Sequence, residues 1–356
     1  MNFEYSPLLV IWEVTQACDQ QCANCRSSIV SERDSQELTT EEGFALLDQV
    51  RSFGNPLMVF TGGDVLKRPD IYELIGRSVG IGLRTNVTPS VTKLLTDDVV
   101  DRFQECGISR MAVGLDGSDA EVHDGIRGWP GSYDRVMAAL GRAQRIGLET
   151  QVQTTVNRRN RLLLPQIGER VFEVGAKLWS VFFSVSAGQE EDLTGEEYEK
   201  VFETLFALSR LAPFDIRTTE GTHYRRYVAQ RLKAEHMRRA HWRTAPVGDG
   251  KGFVFVSHTG EIYPSGFLRV SGGNVRSDSI VEVYRNHQLF KMLRDPQKQE
   301  GKCGRCEFHR ICGGSRARAY ALTGNYLAED PRCVYQPLAN KIEQTESIGV
   351  RPKINQ

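Results

Sequence analysis

Between residues 8 and 189 the chain alternates short β-rich runs with stretches of helical periodicity, and no other feature narrows the fold as much. Runs at 8–14, 56–60, 81–87, 110–115, 149–156 and 178–185 read as six strands, with helical patterns such as 40–53 and 133–146 between them. Thr39-Thr40-Glu41-Glu42 supplies an N-cap followed by first-turn acids. Strands joined by crossover helices form a parallel sheet, so the expected class is α/β. Six such units build a partial (β/α)6 barrel open on one side, whose chemistry sits in loops at the strand C-termini. A closed eightfold barrel would need more chain.

Past this region the pattern changes. Residues 194–211 read as a helix, 214–218 as a short strand, and a basic stretch runs from 224 to 243. From Gly252 the texture shifts again: 252–256, the turn His258-Thr259-Gly260 and 261–264 read as a β-hairpin, after which Gly and Cys become frequent. The expected organisation is a partial barrel over 1–215, a basic helical linker over 216–250 and a small cysteine-bearing domain over 251–345.

Seven of the eight cysteines fall into two tight groups, a spacing that points to metal rather than to scattered disulfides. Cys106 stands alone and is expected to be a small buried residue. Cys18, Cys22 and Cys25 place three thiols in the loop directly after the first strand. Three soft ligands suit a [4Fe–4S] cube with its fourth iron left open, whereas tetrahedral zinc wants a fourth ligand. Neither Cys nor His occurs between Arg26 and Cys106 to supply one. Cys303, Cys306, Cys312 and Cys333 form a complete four-ligand set that, on spacing alone, fits zinc or an iron–sulfur cluster equally.

The cysteine trio after the first strand resembles the signature of the radical S-adenosylmethionine (SAM) superfamily. Further elements follow in the family's order: Phe60-Thr61-Gly62-Gly63-Asp64 resembles its Gly-Gly-Glu element, with Asp64 for Glu. Gly114-Leu115-Asp116-Gly117 resembles its Ser-x-Asp-Gly segment, with Gly114 for Ser. Each element alone has an ordinary reading as a turn or loop; together, at strand ends, they support one another. The resemblance covers about residues 8–190. It implies that Gly62, Gly63 and Asp64 receive the methionine amino group of SAM and that Arg127 is the partner of its carboxylate. It implies that Asp116 belongs to the same site and that Thr155, Asn157 and Ser184 line the ribose and adenine.

The second cysteine group, beside such a core, resembles the SPASM extension and implies an auxiliary [4Fe–4S] cluster. The full SPASM pattern carries two auxiliary clusters. Here Ser265 and Arg316 stand where ligands of the other one would be, so two clusters in total are expected. With four thiolates the auxiliary cluster has no open iron, which leaves it electron transfer or structural support.

These resemblances imply an enzyme that cleaves SAM reductively and abstracts hydrogen from a substrate, fed by an electron donor such as a flavodoxin or ferredoxin. Trp12-Glu13-Val14-Thr15, Thr61-Gly62-Gly63-Asp64, Lys67-Arg68-Pro69-Asp70 and Pro264-Ser265-Gly266 resemble most the haem-biosynthesis side of the family, which implies a carboxylate-bearing metabolite such as a tetrapyrrole. The alternative is a maturase of a ribosomally made peptide. Only seven residues precede the first strand, so no fused N-terminal peptide-recognition domain is expected. A zinc-stabilised binding protein is the non-catalytic alternative.

Arg225, Arg226, Arg231, Lys233, Arg238, Arg239 and Arg243 could grip a carboxylate or form a solvated helix face, and His236 and His241 read as surface residues. Glu220 and His223 are candidate acids for finishing a reaction. Forty-five Lys and Arg balance forty-five Asp and Glu, which leaves no global field for nucleic acid or an anionic membrane. No apolar run of about twenty residues occurs, and the N-terminus lacks a secretory pattern, so a cytoplasmic location is expected.

Overall fold

A computed structural model describes residues 2–20, 22, 25, 30–185, 191–235 and 246–338. Seven parallel strands follow one another around a curled α/β sheet: β1 (Leu9–Glu13), β2 (Leu57–Thr61), β3 (Arg84–Val87), β4 (Arg110–Gly114), β5 (Thr150–Val156), β6 (Leu178–Phe183) and β7 (Asp215–Thr219). Between them run α1 (Thr40–Arg51), α2 (Ile71–Gly80), α3 (Asp97–Glu105), α4 (Ala120–Arg127), α5 (Ser132–Ile146), α6 (Leu164–Glu173) and α7 (Gly195–Ser209), and α8 (Tyr224–Ala234) follows β7. Strand burial shows why the pattern was readable: in β5 the side chains of Thr150, Val152, Thr154 and Val156 are buried while those between them are half-buried. On α6, Leu164, Ile167 and Val171 bury one stripe at helical spacing. Thr39 closes a capping box with Glu42 on α1. Gly43 lets this helix settle on β1, since a Cβ there would lie 2.7 Å from the Trp12 ring.

Two features extend the sheet beyond the six expected units. Asp215–Thr219 pairs with β6 as a seventh parallel strand, so the stretch read as a helical linker contributes most of β7 before it supplies α8. The hairpin is present as β8 (Phe253–Val256) and β9 (Ile262–Tyr263), but β8 also pairs in parallel with β1, in the register Leu9↔Phe253 to Trp12↔Val256. One sheet of nine strands results, in the order β7-β6-β5-β4-β3-β2-β1-β8-β9.

Among the described residues four further α-helices follow: α9 (Ile280–Asn286), α10 (Gln288–Arg294), α11 (Gly301–Gly304) and α12 (Arg316–Thr323). The Tyr284 hydroxyl on α9 donates to the Phe3 carbonyl at 2.7 Å and accepts from the Gly252 amide at 3.2 Å, locking the N-terminal segment to this region. Cys106 caps α3 and is half-buried against the core rather than fully buried. No helix among the described residues is long and apolar enough to cross a membrane.

Candidate active site

At the C-terminal ends of the strands lies a cavity of about 600 Å³. Cys18, Cys22 and Cys25 line it together with Gly62, Gly63, Asp116, Arg127, Thr155 and Ser184, so the fold gathers these residues from five strand ends and one helix into a single space. Asp64 and Asn157 are the two expected cofactor contacts that do not line it. Asp64 is fully buried, its carboxylate accepting from Thr92 Oγ1 at 2.7 Å and from the Leu66 amide at 3.1 Å. Asn157 Oδ1 accepts from the Arg159 amide at 2.9 Å and organises the turn after β5.

The glycines after β2 act through close approach. A Cβ on Gly62 would fall 2.6 Å from the Thr15 carbonyl oxygen, and one on Gly63 would fall 2.4 Å from those of Gln16 and Ala17. Backbone bonds from Gly63 to Thr15 (2.8 Å) and from Asp64 to Ala17 (2.7 Å) then tie β2 to the chain entering the cysteine loop. Burial pushes the Cys18 and Cys22 thiols up, and the Arg127 guanidinium opposes this at Cys22 from 3.8 Å. Thiols so placed become thiolates when a metal centre supplies positive charge.

Asp116 is the hub of the opposing strand ends. Its Oδ1 accepts from the Thr155 amide at 2.7 Å, and its Oδ2 lies 2.8 Å from Arg127 Nε. Gly114 makes room for that arginine: a Cβ there would sit 1.9 Å from Arg127 Nη2, so the departure from Ser at this position accompanies the seating of Arg127 over the end of β4. His123, fully buried, accepts from the Asp116 amide at Nδ1 (3.0 Å) and meets Ser132 Oγ at Nε2 (3.1 Å). Burial pushes its pKa down to about 3, so the ring is neutral and carries its proton on Nε2. Asn160, which the sequence did not single out, donates to the carbonyls of Asp116 and Thr155, both at 3.0 Å, tying two strand ends together. An Asn three residues beyond a strand-end Asn is the local signal for such a turn.

Cys303, Cys306, Cys312 and Cys333 are unbridged and line a second, small pocket with His223 and Arg226. The Asp330 amide donates to Cys303 Sγ at 3.4 Å and the Gly314 amide to Cys312 Sγ at 3.5 Å. Burial pushes Cys312 up to about 12 and Cys333 up to about 11, so these sulfurs too need a bound centre to be thiolates. Among the described residues no three Cys, His, Asp or Glu side chains gather as ligands of a single ion; the thiols ring pockets instead.

Arg316 and Ser265, which the sequence resemblance sets at a further cluster's ligand positions, have other partners in the fold. Arg316 donates to the Tyr326 carbonyl at 3.1 Å and reaches Cys303 Sγ at 3.7 Å, while Ser265 donates to the buried Asp249. Asp249 Oδ2 in turn accepts from the Ala317 amide at 3.0 Å. Glu220, which sits in the left-handed backbone region at φ 58°, accepts from the Ser315 hydroxyl, and burial beside Asp249 pushes its pKa up to about 8. His223 stacks on Tyr198 with ring centroids 5.3 Å apart and is held neutral, at about 3, by burial. Neither Glu220 nor His223 lines the large cavity.

The described part of the basic run, Arg225, Arg226, Arg231 and Lys233, does not line that cavity either. Arg225 donates to the Val247 carbonyl at 2.7 Å, Arg226 pairs with Glu199, and Arg231 pairs with Glu203 at 3.3 Å. Arg238, Arg239, Arg243, His236 and His241 lie outside the described residues. Among the described residues, the cationic side chains in the cavity are Arg127 and Arg269.

Residues 12–159 match the model of the Radical SAM superfamily. Over 341 residues the chain is 35% identical to the AdoMet-dependent heme synthase of Methanosarcina barkeri, covering 93% of this chain and 97% of that one. The chain belongs to the radical SAM superfamily. The same superfamily match is accompanied by 26% identity to the PqqA peptide cyclase of Rhodopseudomonas palustris, covering 95% of this chain and 90% of that one. Among solved structures, Streptococcus suis SuiB bound to S-adenosylmethionine superposes with a TM-score of 0.74 at 15% identity, covering 93% of this chain and 78% of that one, a likeness of fold. A radical SAM protein is an enzyme that uses a [4Fe–4S] cluster and SAM, which sets aside the non-catalytic zinc-protein reading.

Proposed function

We propose that this radical SAM enzyme abstracts hydrogen from a carboxylate-bearing tetrapyrrole in a haem-forming route. The observation that carries the reading is the 35% identity to a heme synthase along nearly the full length of both chains. Cys18, Cys22 and Cys25 would hold the catalytic cluster: their donor chemistry fits three irons of a cube, and they open onto the cavity that also contains Asp116, Arg127, Thr155 and Ser184. When bound, the reduced cluster and SAM supply a 5′-deoxyadenosyl radical that removes a hydrogen atom.

The chain's own residues bind and orient. Gly62 and Gly63 hold the cysteine loop against β2, and Arg127, fixed by Asp116, would take the SAM carboxylate. Neutral His123 and Asn160 hold Asp116 and Thr155 in register, and Thr155 and Ser184, which line the cavity, would receive the nucleoside. Asp64 and Asn157 would act from behind this layer by supporting the loops. Cys303, Cys306, Cys312 and Cys333 would hold an auxiliary cluster, and backbone N–H groups that donate to Cys303 and Cys312 would tune it. A flavodoxin or ferredoxin would supply the electron. We take the catalytic unit to run from residue 1 through β7 at 219, the connection from 220 to 250 and the auxiliary unit over 251–345, whose β8 extends the sheet beyond β1.

The test is anaerobic reconstitution followed by SAM cleavage and product mass analysis with iron porphyrins. About eight irons per chain are expected for two cubes, with 5′-deoxyadenosine formed and the porphyrin losing mass. Cys22→Ala should abolish cleavage. Stoichiometric zinc without cleavage would refute the assignment of the thiols, and cleavage coupled to a peptide but to no porphyrin would favour the second reading, a peptide maturase like the 26% identical PqqA peptide cyclase.

A further inference from the structure

A second set of side chains lines the same cavity: Phe182 at the end of β6, Phe267 and Arg269 on the loop after β9, and Tyr320 on α12. Phe182 and Phe267 lie with ring centroids 6.2 Å apart, tilted by 44°, forming an aromatic face. Their loop is pinned from within. The Ser265 hydroxyl accepts from the Phe267 amide at 3.2 Å and the Leu268 amide at 3.1 Å while donating to Asp249. Leu268 is fully buried, and the residues on either side of it, Phe267 and Arg269, both reach the cavity. That is the alternation of an extended segment.

Arg269 is oriented from below. Its Nη2 lies 3.4 Å from Oε1 of Glu13, a fully buried carboxylate at the end of β1. Glu13 Oε2 also accepts from Gln16 Nε2 at 3.2 Å and lies 3.5 Å from His258 Nδ1, so its charge is shared among several donors. A guanidinium carries five N–H donors in a planar fork and holds a second carboxylate while paired to a first. Arg127, the other cation lining the cavity among the described residues, is paired with Asp116 at 2.8 Å and reaches Cys22.

We infer that Phe182, Phe267 and Tyr320 with Arg269 form the substrate subsite, which takes a flat aromatic ring system against the phenyl faces and one of its carboxylates on Arg269. The inference rests on the tetrapyrrole reading above and adds to it the residues that recognise the substrate. It also accounts for Ser265, which stands in place of a cluster ligand and whose side chain folds the loop that carries half of this subsite. Glu13 is a positioning residue, acting through Arg269.

The probe is protoporphyrin and its dimethyl ester, titrated into the anaerobically reconstituted protein with SAM present and followed by porphyrin fluorescence anisotropy. A charge-assisted guanidinium–carboxylate contact corresponds to about tenfold or more in affinity, so the wild type should hold the acid at least that much more tightly than the ester. Arg269→Gln should bring the acid to the level of the ester, Arg269→Lys should restore part of the difference, and SAM affinity by equilibrium dialysis should stay unchanged in both. Phe267→Leu should weaken acid and ester alike. A wild type that does not discriminate, or an Arg269→Gln variant that binds the acid like wild type, would overturn the Arg269 assignment while leaving the tetrapyrrole reading in place. Unchanged affinity in Phe267→Leu would overturn the aromatic wall. Failure of the wild type to bind either porphyrin would overturn the tetrapyrrole reading and this inference with it.

Discussion

Replacing Gly63 with alanine measures how firmly the cysteine loop is held to the sheet. The added Cβ would fall 2.4 Å from the carbonyl oxygens of Gln16 and Ala17 and 2.7 Å from the Ala17 carbonyl carbon. All three are backbone atoms, so no rotamer change relieves the overlap. The segment must move, and the hydrogen bonds from Gly63 to Thr15 (2.8 Å) and from Asp64 to Ala17 (2.7 Å) weaken with it. Overpacking costs ~1–3 kcal/mol, and a backbone hydrogen bond is worth about 1 kcal/mol net. Gly63→Ala should therefore destabilise the metal-free protein by about 2–4 kcal/mol. Cys18 follows Ala17 directly, so iron bound after reconstitution should fall in parallel. Gly76→Ala is the control: Gly76 lies inside α2, where an added Cβ would meet nothing within 4 Å, and alanine there should stabilise the helix by ~0.5–1 kcal/mol. Urea unfolding by circular dichroism and iron per chain are the two readouts. Wild-type stability and full iron in Gly63→Ala, or equal destabilisation by both changes, would refute the reasoning.

Two further outcomes follow from buried charge. Glu220 is pushed from 4.5 to about 8, so between those values the folded chain holds a proton that the unfolded chain lacks, and stability falls as pH rises. Glu220→Gln mimics the protonated acid, so paired urea titrations should show the variant gaining on wild type from pH 5 to pH 8; a constant difference would count against this. Asp330, fully buried and 2.9 Å from Arg318 Nη1, is held down at about 2, so its contribution is complete above its ordinary pKa of 3.8 and is lost as pH falls towards 2. Asp330→Asn strands a buried guanidinium and should cost about 3–5 kcal/mol at neutral pH, a deficit that shrinks in acid; a pH-independent deficit would show that the ion pair is not its source.

The strand ends were legible because β5 and its neighbours carry their burial in local alternation, and the cysteine loops because ligand spacing is itself local. What was not legible depended on the third dimension. Nothing in 253–256 announces a parallel partner at 9–12, since a hairpin signal specifies only the nearer neighbour. The carboxylate of Asp64 turns to Thr92 and Leu66 rather than to the cavity, a choice made by the turn that follows β2. Charge count in the basic run said nothing of direction, and Arg225, Arg226 and Arg231 spend their donors on Val247, Glu199 and Glu203. Gly114, which stands for Ser in the sequence, leaves the space that Arg127 occupies, and nothing local announces that neighbour.

The pairing of β1 with β8 also has a consequence for how the protein is made. β1 is complete at Glu13, yet its second partner begins at Phe253. At roughly 5–20 residues per second, roughly ten to fifty seconds of synthesis separate the two. Throughout that interval one edge of β1, bearing Val10 and Trp12 that end fully buried, stays open beside the loop of Cys18, Cys22 and Cys25. The ribosome thus delivers the cysteine loop well before the strand that comes to cover the other edge of β1.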